Sequence, residues 1–134
     1  MPELYLLDTN TASYIIKGKP RQVRERLLRA ASSNIAVSVI TEAELRFGVT
    51  RRPELSRLAM AVEEFLKRID VLPWDSDAAK SYAILRATFE RVGQPIGNLD
   101  LMIAAHALSS QAVLISSDAV FHRIKQLTVE NWIE

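Results

Sequence analysis

The sequence predicts an α/β fold in which helices cover both faces of a five-stranded parallel sheet, giving a three-layer α/β/α sandwich. Short apolar runs alternate with longer amphipathic segments, which is the order expected of repeated strand–helix units. The apolar runs are continuous, as in parallel strands that are buried on both faces. With 134 residues, of which 49% are hydrophobic, the chain suits one domain, which we assign to residues 1–134.

Five strands are predicted where apolar residues run together and turn residues or a helical pattern follow. The first, Leu4-Tyr5-Leu6-Leu7, leads directly into Asp8. The predicted strands are residues 4–7, 35–39, 69–72, 112–116 and 127–132.

Helices are predicted between the strands from apolar residues at helical spacing and from residues that favour helix ends. Gly18 stops the first helix, Pro20 and Pro53 begin two others, and Asn98 is expected to be the N-cap of a helix before the fourth strand. The predicted helices are residues 9–17, 20–31, a segment that begins within 38–41 and ends near 48, 53–68, a segment from 75 or 76 to 92, 99–110 and a short one at 121–124.

Composition excludes several classes of function. The chain has 17 basic and 16 acidic residues, so a nucleic acid would have to be recognised by a local patch rather than by overall charge. The absence of cysteine excludes disulfides and thiolate chemistry and fits a reducing cytoplasm. We find no signal-peptide pattern, and no apolar run approaches the ~20 residues needed to span a membrane.

Four acidic residues fall where a parallel sheet presents its ligand site. Asp8 and Asp118 follow the first and fourth strands, while Glu44 and Asp100 lie at or near helix starts beside these loops. Ligands of open α/β sheets bind at the carboxyl ends of the strands. The four side chains can therefore converge on one cleft if the first, second and fourth strands are neighbours.

Each acidic residue also has an ordinary structural interpretation, and the sequence leaves both interpretations open. Asp8 can cap the helix that follows it, and Asp118 can serve as a turn or cap residue. Glu44 follows Thr41 in a Thr-x-x-Glu capping box. Asp100 lies in a first helical turn, where the helix dipole favours an anion.

Four carboxylates in one cleft repel one another and take up protons unless a cation compensates their charge. A site made of oxygen donors indicates Mg²⁺ or Mn²⁺ rather than Zn²⁺, and such an ion polarises a phosphodiester and activates water. Thr9, Asn10 and Ser116 are candidates to orient the carboxylates. We interpret His106 as a packed helix residue and His122 as a surface residue, without the partners needed for nucleophilic catalysis.

Four successive segments carry motifs: residues 7–10 (LDTN), 38–48 (SVITEAELRFG), 93–107 (GQPIGNLDLMIAAHA) and 116–118 (SSD). These motifs resemble those of the PIN-domain ribonucleases and, within that family, the VapC toxins of bacterial toxin–antitoxin pairs. The third is the most specific, because Pro-Ile-Gly-x-x-Asp followed by an alanine-rich helix is hard to match by chance. The likeness extends over nearly the whole chain.

The resemblance implies the strand order 3-2-1-4-5 and a Mg²⁺- or Mn²⁺-dependent endoribonuclease. It assigns the catalytic and metal-binding roles to Asp8, Glu44, Asp100 and Asp118. It selects Glu44 over Glu42, because the glutamate of the family precedes Leu in an Ala-Glu-Leu-x-aromatic-Gly run.

The resemblance also implies partners. Members close to this pattern typically cut structured RNA, often initiator tRNA at the anticodon stem-loop. They usually form homodimers and are silenced by a VapB-type antitoxin whose tail enters the acidic cleft. Arg86 matches an arginine for which we expect a substrate-facing role. Other candidate phosphate contacts are Arg46, which we also assign to substrate binding, Arg51, Arg52, Lys17 and Lys19.

Two other classes of function remain open at this point. A response-regulator-like phosphoacceptor also has five parallel strands and an acidic Mg²⁺ pocket, but it needs an aspartate after the third strand and a lysine after the fifth. Asp75 lies beyond Pro73-Trp74, and Asn131-Trp132 closes the fifth strand without a lysine. The other alternative is a module on the same fold that binds RNA or protein without catalysis.

Overall fold

The sheet of this protein is formed by five parallel strands in the order β3-β2-β1-β4-β5, seen in a computed structural model that describes residues 3–30 and 34–133. This confirms the predicted fold class and strand order. Flavodoxin-like phosphoacceptor proteins have the order 2-1-3-4-5, so the response-regulator alternative is wrong in its topology. The strands are β1 (Tyr5–Leu7), β2 (Ile35–Ser38), β3 (Asp70–Leu72), β4 (Val113–Ile115) and β5 (Val129–Glu130).

Six α-helices and the 3₁₀ helix Ala119–Arg123 lie between the strands in the described part of the chain. The α-helices are α1 (Thr9–Lys17), α2 (Arg21–Arg29), α3 (Val39–Thr50), α4 (Ser56–Arg68), α5 (Ser76–Arg91) and α6 (Asn98–Ser109). None of the helices in residues 3–30 and 34–133 has both the length and the apolar character to cross a membrane.

The three central strands bury side chains on both of their faces. Leu6, which pairs with Ala36 and Leu114, packs with α5 and α6 on one face. Leu7 belongs to a second cluster on the other face, with residues of α1 and α4. Because successive side chains of a strand point to opposite faces, a continuous apolar run is what a doubly covered strand requires.

Most helix boundaries agree with the sequence prediction, with a few exceptions at the helix ends. The helix α4 begins at Ser56 rather than at Pro53, after a turn whose last residue, Leu55, is its N-cap. Asn98 is the first residue of α6 and Gly97 is its N-cap, so the predicted cap is wrong. The helix α3 continues past Gly48 to Thr50. The predicted end of the second helix, at residue 31, lies outside the described residues.

The strand register brings three polar residues to one edge of the sheet. Leu7 is paired with Val37 of β2 and with Ile115 of β4, so these three strands end at the same level. The next residue in each strand is Asp8, Ser38 or Ser116. All three are buried, and Asp8 is the one of them that lines the candidate site.

Candidate active site

Asp8 follows the last residue of β1, where it combines a structural role with a place in the candidate site. Its Oδ1 accepts a hydrogen bond from the backbone N–H of Thr11 at 2.8 Å, so it is the N-cap of α1, as one of the two sequence interpretations proposed. Only 4% of Asp8 is exposed. Burial raises the pKa of its carboxyl group, hydrogen bonds from Ser116 and Thr11 oppose this shift, and the charge of Asp118 adds to it.

Glu44 is held by the first turn of α1 rather than by its own helix. The N-cap of α3 is Ser38, whose Oγ accepts from the N–H of Ile40, so the Thr41 capping-box interpretation is wrong. Instead, Thr9 Oγ1 donates to Glu44 Oε1 at 2.6 Å and lies 3.1 Å from Thr41 Oγ1. The carboxylate of Glu44 is therefore tied to the residue that follows Asp8.

Asp100 lies in the first turn of α6, as the sequence predicts, three residues after the Gly97 N-cap. Its side chain is half-buried. The pKa of its carboxyl group is raised by burial and then by the charges of Asp118, Glu44 and Asp8. The three other carboxylates of the set therefore act on Asp100 through space, although the chain separates them widely.

Asp118 is the most exposed of the four acidic residues and caps the 3₁₀ helix. Its Oδ1 accepts from the N–H of Val120 at 3.0 Å, and its own N–H donates to Ser116 Oγ at 3.0 Å. Because Ser116 also hydrogen-bonds the carboxylate of Asp8, this serine connects two of the acidic residues.

The four carboxylates line one cavity of about 260 Å³. The complete lining is Asp8, Thr9, Asn10, Glu44, Asp100, Ile103 and Asp118. The structure thus brings together all four predicted acidic residues, with Thr9 and Asn10, while Ser116 does not line the cavity and contributes through its hydrogen bond to Asp8. Sequence reasoning missed Ile103, one turn after Asp100 on the same face of α6, which helical spacing from Asp100 can find.

The donors of this cavity suit a hard divalent cation. In residues 3–30 and 34–133, no three acidic or histidine side chains form a cluster that could by itself hold a metal ion. Mg²⁺ does not require such a cluster, since it is typically bound through one or two carboxylates and keeps several waters. All four carboxylates offer oxygen, and a bound cation would compensate both the burial and the neighbouring negative charges that raise the pKa values of Asp8 and Asp100.

The two arginines predicted to bind substrate are engaged elsewhere. Arg46 donates to Glu42 at 2.7 Å and also to Glu63 of α4. Arg86 donates to Glu90 at 2.7 Å and to the hydroxyl of Tyr82 at 3.0 Å. Neither arginine lines the carboxylate cavity. The three ion pairs, Arg46–Glu42, Arg46–Glu63 and Arg86–Glu90, lie at the surface, where a single ion pair contributes little stability.

The histidines occupy the positions that the sequence predicts. His106 is buried, its Nδ1 lies 2.7 Å from Ser38 Oγ, and burial lowers its pKa, so the ring is neutral and helps to hold the N-cap of α3. His122 is exposed.

Comparison with known proteins gives one consistent family. A family profile of the PIN domain matches residues 5–127. The chain is 37% identical over 129 residues to the tRNA(fMet)-specific endonuclease VapC of Salmonella typhimurium, covering 96% of this chain and 97% of the relative.

Solved structures agree with the sequence comparison. VapBC of Salmonella typhimurium bound to DNA superimposes with a TM-score of 0.90 at 37% identity, covering 98% of this chain and 99% of the other. VapBC2 of Rickettsia felis, bound to a DNA fragment from its promoter, superimposes with a TM-score of 0.88 at 34% identity, covering 96% and 98%.

Proposed function

This chain belongs to the VapC ribonucleases of the PIN-domain family, and on that premise we propose that it is the toxin of a type II toxin–antitoxin pair, a metal-dependent endoribonuclease in one PIN domain. The observation that carries the proposal is the cavity in which Asp8, Glu44, Asp100 and Asp118 meet. Of the two interpretations left for these residues, capping accounts for Asp8 and Asp118 but does not account for Glu44 or for the convergence of all four.

The four carboxylates are proposed as the catalytic and metal-binding groups, with Mg²⁺ or Mn²⁺ as the ion. When bound, such an ion would supply charge compensation, polarisation of the phosphodiester and activation of water. The chain itself fixes the carboxylates before substrate arrives. Thr9 holds Glu44, and Ser116 holds Asp8, so neither carboxylate has to be reoriented at the cost of side-chain entropy.

The proposed substrate is tRNA, with the anticodon stem-loop of initiator tRNA as the first candidate. The support is the name of the Salmonella typhimurium relative, a tRNA(fMet)-specific endonuclease. A tRNA substrate places the proposed activity in the cytoplasm. Arg46 and Arg86 remain proposed substrate contacts, reached by opening their exposed ion pairs.

The proposed protein partners are a VapB-type antitoxin and a second copy of this chain. The structural relatives include VapBC complexes from Salmonella typhimurium and Rickettsia felis. A cationic side chain of an antitoxin tail would be stabilised in the acidic cavity for the same reason as a metal ion, since it compensates the four carboxylates.

The test is cleavage of labelled tRNA by the purified chain and its Asp100→Asn variant. We expect cleavage with Mg²⁺ or Mn²⁺, none with EDTA, and a loss of at least about 100-fold in the variant, which keeps the size and helical position of Asp100. The thermal unfolding of the variant provides the control for folding. Undiminished cleavage by a folded Asp100→Asn variant, or equal cleavage in EDTA, would contradict the proposal. RNA binding without cleavage under any of these conditions would instead favour the non-catalytic module.

A further inference from the structure

A second, larger groove adjoins the carboxylate cavity. It has a volume of about 690 Å³ and lies between α1, α3 and α4. Thr9 and Glu44, which are hydrogen-bonded to each other, line both the groove and the cavity, so the two sites are adjacent and one extended ligand can contact both.

The groove is rimmed by cations. Lys17, Arg51, Arg52 and Arg57 line it and are exposed. Arg52 is paired with Glu54 at 3.0 Å. The other three basic residues form no salt bridge with a carboxylate of residues 3–30 and 34–133. These unpaired cations can bind the phosphates of a polyanion such as RNA. The phosphodiester bond to be cleaved would then lie in the adjacent carboxylate cavity.

An aromatic ring stands beside this rim. Phe47 is 62% exposed, and the guanidinium of Arg51 lies 5.5 Å from its ring centroid. Proteins that bind unpaired nucleic acid combine a basic groove along the backbone with aromatic side chains on which bases stack. The groove and Phe47 together supply both of these elements on one side of the cavity.

We propose that this groove binds the sugar–phosphate backbone of an unpaired RNA strand on one side of the cleaved bond, with Lys17, Arg51 and Arg57 contacting phosphates and Phe47 stacking on a base. The inference rests on the proposed nuclease function and adds the path of the substrate. It also selects among the phosphate contacts expected from the sequence, because Lys17, Arg51 and Arg52 line the groove whereas Lys19 and Arg46 do not. Arg57 joins them from the first turn of α4.

A polypeptide tail is the other occupant that such a groove could accept, since Ile16, Leu45 and Leu58 give it apolar walls. RNA is favoured by the charge of the rim. Lys17, Arg51 and Arg57 form no salt bridge with a carboxylate of the described residues, and a phosphate backbone complements three such cations.

The experiment compares Arg51→Ala/Arg57→Ala with a matched pair, Arg29→Ala/Arg91→Ala, which removes the same charge from exposed positions outside the groove. The probe is a fluorescent anticodon stem-loop RNA of initiator tRNA, and binding is measured by anisotropy over a range of salt concentrations in the Asp100→Asn background. We expect about tenfold weaker binding for the groove pair and a salt slope smaller by about 1.4, since each phosphate contact to a single strand contributes about 0.7. The matched pair should keep the parental salt slope.

Cleavage kinetics separate this inference from the proposed function. With the carboxylates intact, the groove pair should raise KM for the RNA far more than it lowers kcat, because the contacts are made equally before and during the reaction. Phe47→Ala should weaken RNA binding with no change in salt slope, whereas Phe47→Tyr should bind RNA as tightly as the parent.

If the wild-type chain cleaves RNA and the groove pair shows the same KM and salt slope as the matched pair, the groove inference is overturned while the proposed nuclease function stands. A groove pair that loses only affinity for a VapB-type antitoxin also overturns it. Absence of cleavage by the wild-type chain refutes the function itself.

Discussion

Substitutions of Asp8 can distinguish its structural role from its proposed catalytic role, because its side chain caps a helix and also contributes a carboxylate to the cavity. Asp8→Asn keeps an oxygen that can accept from the N–H of Thr11, and asparagine is as good an N-cap as aspartate. Asp8→Ala removes both the cap and the charge. Under the proposed function, both variants lose RNA cleavage by at least about 100-fold, but only the alanine variant loses stability.

The magnitude follows from the contacts of Asp8. Loss of an N-cap costs about 1 kcal/mol. Alanine also leaves the buried hydroxyl of Ser116 without its acceptor, which adds about 1–3 kcal/mol. We therefore expect Asp8→Ala to lower the free energy of unfolding by about 2–4 kcal/mol.

At neutral pH, Asp8→Asn should change the free energy of unfolding in the opposite direction from Asp8→Ala. Burial raises the pKa of Asp8, so the folded state binds the proton more tightly than the unfolded state does. Protonated Asp8 therefore contributes stability that is fully present below the pKa of Asp8 in the unfolded chain. This contribution is lost as the pH rises through the higher pKa of Asp8 in the folded protein. In metal-free buffer at neutral pH, Asp8→Asn should therefore be at least as stable as the wild type, and its advantage should shrink in acid.

The assay is thermal or urea unfolding in EDTA at several pH values, with cleavage of labelled tRNA measured on the same preparations. An Asp8→Asn variant that cleaves at the wild-type rate would refute the role of the charge. An Asp8→Asn variant as unstable as Asp8→Ala would refute the account of the cap.

Two further predictions follow from the site. Thr9→Val removes the hydrogen bond to Glu44, so it should reduce cleavage about tenfold and lower the free energy of unfolding by about 1 kcal/mol. Thr9→Ser keeps the hydroxyl and should retain both the cleavage rate and the stability. Equal cleavage by Thr9→Val and the wild type would show that Glu44 does not need this hydrogen bond. Mg²⁺ or Mn²⁺ at ten times its dissociation constant should raise the free energy of unfolding of the wild type by about 1.4 kcal/mol, and this effect should be absent in Asp100→Asn. The stabilisation should fade as the pH is lowered through the raised pKa values of Asp8 and Asp100, because the protonated carboxyl groups no longer bind the ion. A stabilisation that does not depend on pH would place the ion elsewhere.

Local sequence signals predict the elements of this fold better than they predict the contacts between them. The predictions of the first strand and of the Asp8 cap use only residues that are adjacent in sequence, and the structure confirms both. The capping box at Glu44 is equally plausible in sequence but wrong, because β2 passes into α3 without a loop and Ser38 already caps that helix. The pattern around Thr41 does not show where the helix begins.

The partners of the charged side chains depend on packing between elements that are distant in sequence. Arg46 pairs with Glu63 because α3 packs against α4, and no local pattern links residues 17 positions apart in this way. The basic groove has the same origin, since α1, α3 and α4 each contribute only part of it. The sequence could name most of its cations as candidate phosphate contacts but could not show which of them share a surface with the carboxylates.

The most direct measurement of the central claim is a crystal structure of the chain grown with Mn²⁺, in which the ion is located by its anomalous scattering. We expect a peak inside the 260 Å³ cavity, in contact with carboxylate oxygens that include those of Asp8 or Asp100, and no such peak in the Asp100→Asn variant. A wild-type chain that shows no peak in this cavity at saturating Mn²⁺, while still cleaving RNA in its presence, would contradict the central claim.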